Sequence, residues 1–560
     1  MHSPSFCYKE IKIMNLKEKP FYLDDSAVEW VNKTLEKLTE DEKIGQLFFP
    51  IGFSNEKEYL NHLIDLGVGG LLFRPGEAKE VQQVYEYMQR NSKVPLLTAA
   101  NLEDGGNGAS VEGTAFGNQM AVAATNRTSD AYTLGKIAAT EGKAVGVNFG
   151  FSPVVDLDLN FRNPITNVRT YGSDVERVIK NAKEYIQAFH DNGSMTSIKH
   201  FPGDGVDERD QHLLTSINSL SVNNWRKTFG KVYQELIDFG SKAVMVGHIA
   251  FPAYSGDDMP ATLSPKLIND LLRTELGFNG LTITDATPMV GFCSAMKRSE
   301  AVPYTIEAGC DMLLFNRVLE EDIQYMKEGL AKGILTKERL NEAVTRILAT
   351  KASLGLHETI NHGSASFEDY KKEQLDLADR SITFVKDTQN MLPLNLENHK
   401  RILLQLLGSF DSNERVLKKV IEELEKRDFE ITVYEPETDL FDLGTVASFS
   451  NDFDAVLYIA NIQNASNQTV ARIHWHTLFG LGNNMPWFTK EVPTALISFG
   501  NPYHLYDLPM VETVVNAYCN YDHFIEMAIK KLTGESSFKG VSPVNAFCDN
   551  SLLEGLKNED

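Results

Sequence analysis

The chain has 560 residues, enough for a large core and more than one domain. Its 54 basic and 77 acidic residues leave a net charge of −23, a field that repels nucleic acid and anionic membrane surfaces. A hydrophobic content of 42% and a charged content of 23% suit a globular enzyme in water, and no apolar stretch approaches the roughly 18 residues of a membrane span.

Residues 1–20 read as an N-terminal extension that mixes Lys and Glu without an apolar signal core, and Met14 offers an alternative start. Cys7, Cys293, Cys310, Cys519 and Cys548 are scattered and form no CxxC pair. They read as reduced thiols in a cytoplasmic protein.

In chain order, short apolar runs predict strands at Gln46–Pro50, Gly69–Phe73, Pro95–Ala100, Asn148–Val155, Met195–His200, Ala243–His248, Leu281–Thr284 and Asp311–Phe315. Amphipathic stretches between them predict helices at Asp130–Val145, Asp174–Asp191, Asn223–Phe239, Pro265–Leu276 and Glu320–Lys332. This alternation predicts an α/β chain with a (β/α)8 barrel over residues 21–357; a doubly wound open sheet is the alternative. The helix predicted over Lys337–Leu354 closes the barrel domain, with Gly355 behind it as a cap. A linker is expected over 358–380, polar at Glu358–Glu368. A smaller α/β/α sandwich is expected over 381–560, from runs at Arg401–Leu407, Phe429–Tyr434, Ala455–Ala460, Thr494–Phe499 and Thr513–Ala517, with helices at Asn413–Arg427 and Asp522–Lys531.

Polar residues recur where the barrel strands end: Glu103 and Asp104, then Asp156, Asp158 and Arg169, then Lys199 and His200, His248, Asp285 and Asn316. That rim is where barrel enzymes do chemistry. The richest stretch is Lys199-His200-Phe201-Pro202-Gly203-Asp204-Gly205, followed by Asp210-Gln211-His212. Residues two apart on an extended segment share a face, so Asp210 can orient the His212 imidazole and raise its basicity. The plain alternatives are a strand-end Asp285 acting as a cap, Lys199 and Arg169 as structural ion-pair partners, and Asp210 and His212 on a solvated acidic loop. Asp204 reads as an ordinary loop residue. His474 and Trp475 read as ordinary packing, because Trp is usually core, with a place at the active-site rim as the alternative.

Several segments resemble glycoside hydrolase family 3 in family order. They are Leu38-Thr39-Glu40-Asp41-Glu42-Lys43-Ile44-Gly45-Gln46-Leu47, Asn163-Pro164 with Arg169-Thr170-Tyr171-Gly172-Ser173-Asp174, Lys199-His200-Phe201, Thr284-Asp285-Ala286 after Gly277-Phe278-Asn279-Gly280, and Ser381-Ile382-Thr383 with Met391-Leu392-Pro393. Asp210-x-His212 resembles the bacterial β-N-acetylglucosaminidase subgroup, which uses an Asp–His pair as general acid/base. The chain departs from that subgroup at Gly203-Asp204-Gly205-Val206-Asp207 and at Asn101-Leu102-Glu103-Asp104-Gly105-Gly106-Asn107, where an Arg and a sugar-binding Asp have no clear counterpart.

The resemblance implies a retaining exo-β-N-acetylglucosaminidase recycling amino sugars from cell-wall fragments or glycans. Asp285 is the implied nucleophile, with Lys199 and Arg169 as nearby cations, and His212 with Asp210 the acid/base pair. Arg169, Lys199 and His200 are expected to hold the sugar, with Asp156, His248 and Glu103 also at the site. No metal or cofactor is required. The expected partner is a small carbohydrate, with no nucleic acid and no membrane, and the oligomeric state stays open. The alternatives are a β-glucosidase or β-xylosidase of the same family, a β-glycoside phosphorylase, whose anionic acceptor a histidine does not repel, and a sugar-binding protein without activity.

Overall fold

The computed structural model describes residues 15–358, 367, 369–408, 412–436, 443–464, 466–480 and 482–550. Cys7, Met14 and most of the polar stretch 358–368 lie outside the described residues.

The first domain is a parallel barrel. Its sheet order runs Phe48–Phe49, Met312–Leu314, Leu281–Ala286, Ala243–Val246, Met195–Phe201, Phe149–Gly150, Leu97–Ala100, Gly70–Phe73 and Ile51–Gly52. The two ends of this list are halves of one strand. Phe48–Phe49 pairs with the last strand and Ile51–Gly52 with the second, so eight strands form a ring that is nearly closed. The break between the halves falls at Pro50, which has no N–H to give a ladder. The doubly wound alternative is thereby set aside. Phe49, Phe149 and Phe151 pack in the barrel, Phe149 meeting each of the other two edge-on and Phe49 and Phe151 tilted, with the Phe149 and Phe151 centroids 5.0 Å apart.

Local chemistry starts the elements where the sequence places them. Thr39 and Glu42 form a reciprocal capping box at the helix Glu40–Gln46. Thr336 caps Lys337–Ser353 by accepting from Arg339 N, and Gly355 follows with φ +70°. The predicted helix over Asn223–Phe239 is two helices, Val222–Lys227 and Phe229–Phe239, because the backbone turns at Thr228. The predicted strand Asn148–Val155 is a strand at Phe149–Gly150 and bridges the next strand again only at Val154, opposite Lys199, after which the chain carries Asp156 inward.

The second sheet orders Thr383–Asp387, Thr513–Asn516, Thr494–Ser498, Ala455–Ala460, Arg401–Leu407 and Glu430–Val433. All its pairs are parallel except Thr383–Asp387, an antiparallel edge strand that the sequence pattern did not mark. Its side chains alternate between two buried clusters. Ile402 and Leu404 join an apolar cluster continuous with the barrel, while Leu403 and Leu407 face a separate one with Val456 and Leu496. Helix Lys371–Ser381, within the stretch read as linker, packs against Asp522–Leu532 and against the barrel-domain helix Gln119–Ala124.

Candidate active site

A cavity of about 460 Å3 opens at the C-terminal ends of the barrel strands, a volume that suits a small ligand. Glu103, Arg169, Lys199, His200, His212 and Asp285 line it together. Its remaining polar wall is Asn101, Asp104, Asn107, Asn118 and, from the second domain, Gln463, Asn464 and Ser466.

Asp285 closes the strand Leu281–Ala286. Its Oδ1 accepts the Ala286 N–H at 2.7 Å, and its Oδ2 lies 3.9 Å from His200 Nε2. Burial pushes this carboxyl up, but the imidazoles of His200, His248 and His212 and the Ala286 N–H outweigh it and hold the group below the usual carboxylate range. Lys199 and Arg169, expected as cations near Asp285, share its cavity, and the Asp285 charge is among those that raise the Arg169 guanidinium. Both cations are bound to Glu103: Arg169 donates from Nε and Nη2 at 2.8 Å each, and Lys199 Nζ lies 2.6 Å from Oε1. Burial alone would raise the Glu103 carboxyl, yet the two cations drive it far below its ordinary value. This fork is a charge-assisted triad, Lys199 buried and Glu103 and Arg169 half-buried, that sets the polar floor of the cavity.

Asp156 and His248, both read as pocket residues, lie one layer behind the wall and do not line it. Asp156 Oδ1 accepts the His200 backbone N–H at 3.1 Å, and its Oδ2 lies 2.7 Å from His200 Nδ1. With that nitrogen engaged, Nε2 is the one left to face Asp285. His248 Nδ1 lies 3.0 Å from Thr262 Oγ1, and its Nε2 lies 3.0 Å from the Ala286 carbonyl, so it braces the backbone next to Asp285. Asp204, read as an ordinary loop residue, is buried. Its N–H donates to Asp156 Oδ1 at 2.8 Å, and its carboxylate accepts from Asn163, Gly205 and Gln211. Burial and the adjacent Asp156 push that carboxyl up to about 7. The tight path of this loop requires Gly205, at φ +99°, where a Cβ would sit 2.0 Å from the Leu157 carbonyl oxygen.

Asp210 and His212 meet, but across a turn rather than the extended segment expected, with Leu213 N donating to the Asp210 carbonyl at 3.0 Å. Asp210 Oδ1 accepts the His212 N–H at 2.9 Å and lies 2.6 Å from His212 Nδ1. Its other oxygen accepts backbone N–H groups from the second domain, Asn467 at 2.8 Å and Gln468 at 3.3 Å. Burial raises this carboxyl, while the His212 and Asn467 hydrogen bonds more than reverse the effect. The His212 carbonyl in turn accepts from Val290 N at 2.9 Å, tying the loop to the segment that follows Asp285.

Two more contacts fix the second domain on the rim. Tyr521 donates to Asp104 Oδ2 at 2.8 Å and Tyr503 to Asp158 Oδ2 at 2.6 Å. Burial pushes Asp104 and Asp158 each up to about 6. Trp475 is 45% exposed with its ring against Phe479, which corrects the reading of core packing, and neither it nor His474 lines this cavity. Gln463, Asn464 and Ser466 escaped the sequence reading because nothing in a lone polar loop signals the barrel it will meet. Asp104 was visible as a rim residue, but its Tyr521 partner is 417 positions away.

Comparison with known proteins gives the chain a family. A model of the glycosyl hydrolase family 3 N-terminal domain matches residues 39–350. A beta-N-acetylglucosaminidase/beta-glucosidase of Cellulomonas fimi is 43% identical over 559 residues, covering 96% of this chain and 99% of its own. The solved structure of beta-glucoside phosphorylase BglX bound to 2FGlc superposes with a TM-score of 0.90 at 41% identity, over 96% of this chain and 99% of that one. A family 3 β-N-acetylglucosaminidase from Paenibacillus sp. str. FPU-7, 24% identical with a TM-score of 0.78 over 91% of this chain and 99% of that one, supports the fold alone. The chain belongs to glycoside hydrolase family 3.

Proposed function

We propose that the protein cleaves terminal β-linked N-acetylglucosamine and β-glucose with retention, through a covalent glycosyl-enzyme on Asp285 and acid/base catalysis by His212 and Asp210. The observation that carries this reading is that a half-buried carboxylate, held ionised by imidazoles, and an Asp-bound histidine line the same cavity.

In the first step the Asp285 carboxylate attacks the anomeric carbon while His212 Nε2–H protonates the glycosidic oxygen, and the aglycone leaves as an alcohol. In the second, neutral His212 takes a proton from the acceptor, whose oxygen attacks the anomeric carbon and releases Asp285. Asp210 holds the Nδ1 proton and stabilises the imidazolium, the part a carboxylate plays beside histidine in other hydrolases. Arg169 and Lys199, fixed by Glu103, supply hydrogen bonds to sugar hydroxyls or to the acetamido group. The second sugar in this reading rests on the dual relative from Cellulomonas fimi. A cytoplasmic site of action, with recycling of cell-wall amino sugars, belongs to the same reading. It is supported by cysteines 293, 310, 519 and 548 being free. Among the described residues no helix is long and apolar enough to cross a membrane.

A second reading has phosphate in place of water as the acceptor, releasing a sugar 1-phosphate. It is favoured by the 41% identity to a β-glucoside phosphorylase over 96% of the chain, and by a histidine acid/base, which does not repel an anion as a carboxylate would. The test is cleavage of chromogenic β-N-acetylglucosaminide and β-glucoside with and without phosphate. Retained configuration and turnover of both support the proposal, and phosphate-dependent formation of sugar 1-phosphate selects the second reading. Failure of both substrates removes it.

A further inference from the structure

The cavity that holds Asp285 adjoins a larger one of about 900 Å3, and His212, Ala286, Phe315 and Ser466 line both. His212 stands at the junction. Its Nδ1 is committed to Asp210, so Nε2 is the nitrogen that meets a glycosidic oxygen. A sugar whose anomeric carbon reaches Asp285 then directs its leaving group past His212 into the second cavity.

The second cavity has a different wall. Phe53, Val290 and Val318 line it while 71%, 44% and 42% exposed, so apolar side chains that would ordinarily be covered gather round one opening. Arg74 lies over the Phe53 ring, 5.8 Å from its centroid, and among the described residues no carboxylate ion-pairs with it. Arg317 lies on the same wall with Nη2 bonded to Glu321 at 2.8 Å, and Glu320 there is paired with His62 at 2.6 Å. A guanidinium without a carboxylate partner, on the surface of a chain with net charge −23, marks a local preference for an anion.

We infer that this cavity is the leaving-group site and that it selects aglycones joining an apolar or aromatic face, which packs on Phe53, Val290 and Val318, to an anionic group held by Arg74. The inference rests on the catalytic reading above and extends it from the sugar to what the sugar is attached to. A carboxylate or phosphate on the aglycone satisfies the site equally, and free phosphate is the competing occupant.

The test uses aryl glycosides of whichever sugar the full chain turns over faster, carrying a 4-carboxylate or a 4-carboxamide on the phenyl ring. The carboxamide is the more electron-withdrawing group, so intrinsic reactivity runs against the expected preference. The wild type should favour the carboxylate by about tenfold in kcat/KM, the worth of one charge-assisted hydrogen bond. Arg74→Gln should erase that preference. Phe53→Ala should lower both aryl substrates together, while labelling by a 2-fluoroglycosyl fluoride, which has no aglycone to place, stays unchanged in both variants. Equal kcat/KM for the two substrates in the wild type overturns the inference. So does an Arg74→Gln variant that loses only phosphate-dependent turnover and keeps the carboxylate preference, because the arginine then serves a free acceptor. Absence of both labelling and turnover removes the catalytic reading and this inference with it.

Discussion

Asp210 Oδ2 accepts the backbone N–H of Asn467 at 2.8 Å, across 257 positions of chain. The pair proposed as acid/base is therefore a two-domain structure: the barrel supplies Asp210 and His212, and the second domain supplies donors that keep the carboxylate charged and aimed. Asp210→Asn should leave the fold intact and lower kcat by about 10²–10⁴ on alkyl glycosides, which need a proton on the leaving oxygen. Dinitrophenyl glycosides, which do not, should slow far less. Equal losses on both substrates would remove Asp210 from proton transfer.

Asp285 is held below the ordinary carboxylate range, so its charge should persist into acid. Labelling by a 2-fluoroglycosyl fluoride requires only that charge. Its rate should stay flat from neutrality down to roughly pH 5, about one unit above an unperturbed Asp. A rate that falls steadily over that interval would mean a carboxyl raised by burial rather than lowered by its imidazoles.

Glu103→Gln should destabilise the barrel by about 3 kcal/mol or more, because it leaves Arg169 and Lys199 in the cavity floor without their shared counter-charge. Thermal unfolding measures this. The sign with pH follows from the lowered carboxyl: its contribution is present above the ordinary Glu value and is lost as pH falls through the folded value. The gap in Tm between wild type and variant should therefore narrow in strong acid.

Asp104 has the opposite sign. Its folded value is pushed up to about 6, so its contribution is full below the ordinary Asp range and is lost as pH rises through about 6. Asp104→Asn should reduce the difference in Tm between pH 5 and pH 8. Tyr521→Phe removes the hydroxyl that opposes the rise and should enlarge that difference. A Tm profile unchanged by either substitution would show that Asp104 does not titrate in this interval.

The barrel and its rim were legible because the strands are short apolar runs, polar at their ends from the third onward, and because Lys199, His200, Asp210 and His212 lie within 14 consecutive positions. Asp285 and His212 line one cavity, and Asp210 is bonded to His212. Which partner a rim residue takes was not legible. Lys199 and Arg169 turn to Glu103 rather than Asp285 because a bidentate fork and a buried lysine satisfy one carboxylate completely. Asp156 and His248 end behind the wall because the chain around them turns their side chains onto His200 and the Ala286 carbonyl. The clamp on Asp210 is made by peptide N–H groups, which every residue but proline carries, so no side-chain pattern announces it. The edge strand Thr383–Asp387 was missed because its burial alternates weakly and its partner lies about 130 residues downstream.

The identity of the nucleophile is tested most directly by trapping. The full chain is incubated with a 2-fluoroglycosyl fluoride, digested, and mapped by mass spectrometry. A single fluoroglycosyl group on Asp285, absent from Asp285→Ala and released when an acceptor is added, is the expected result. Label on any other carboxylate, or rapid turnover of substrate by the Asp285→Ala variant, would contradict the mechanism.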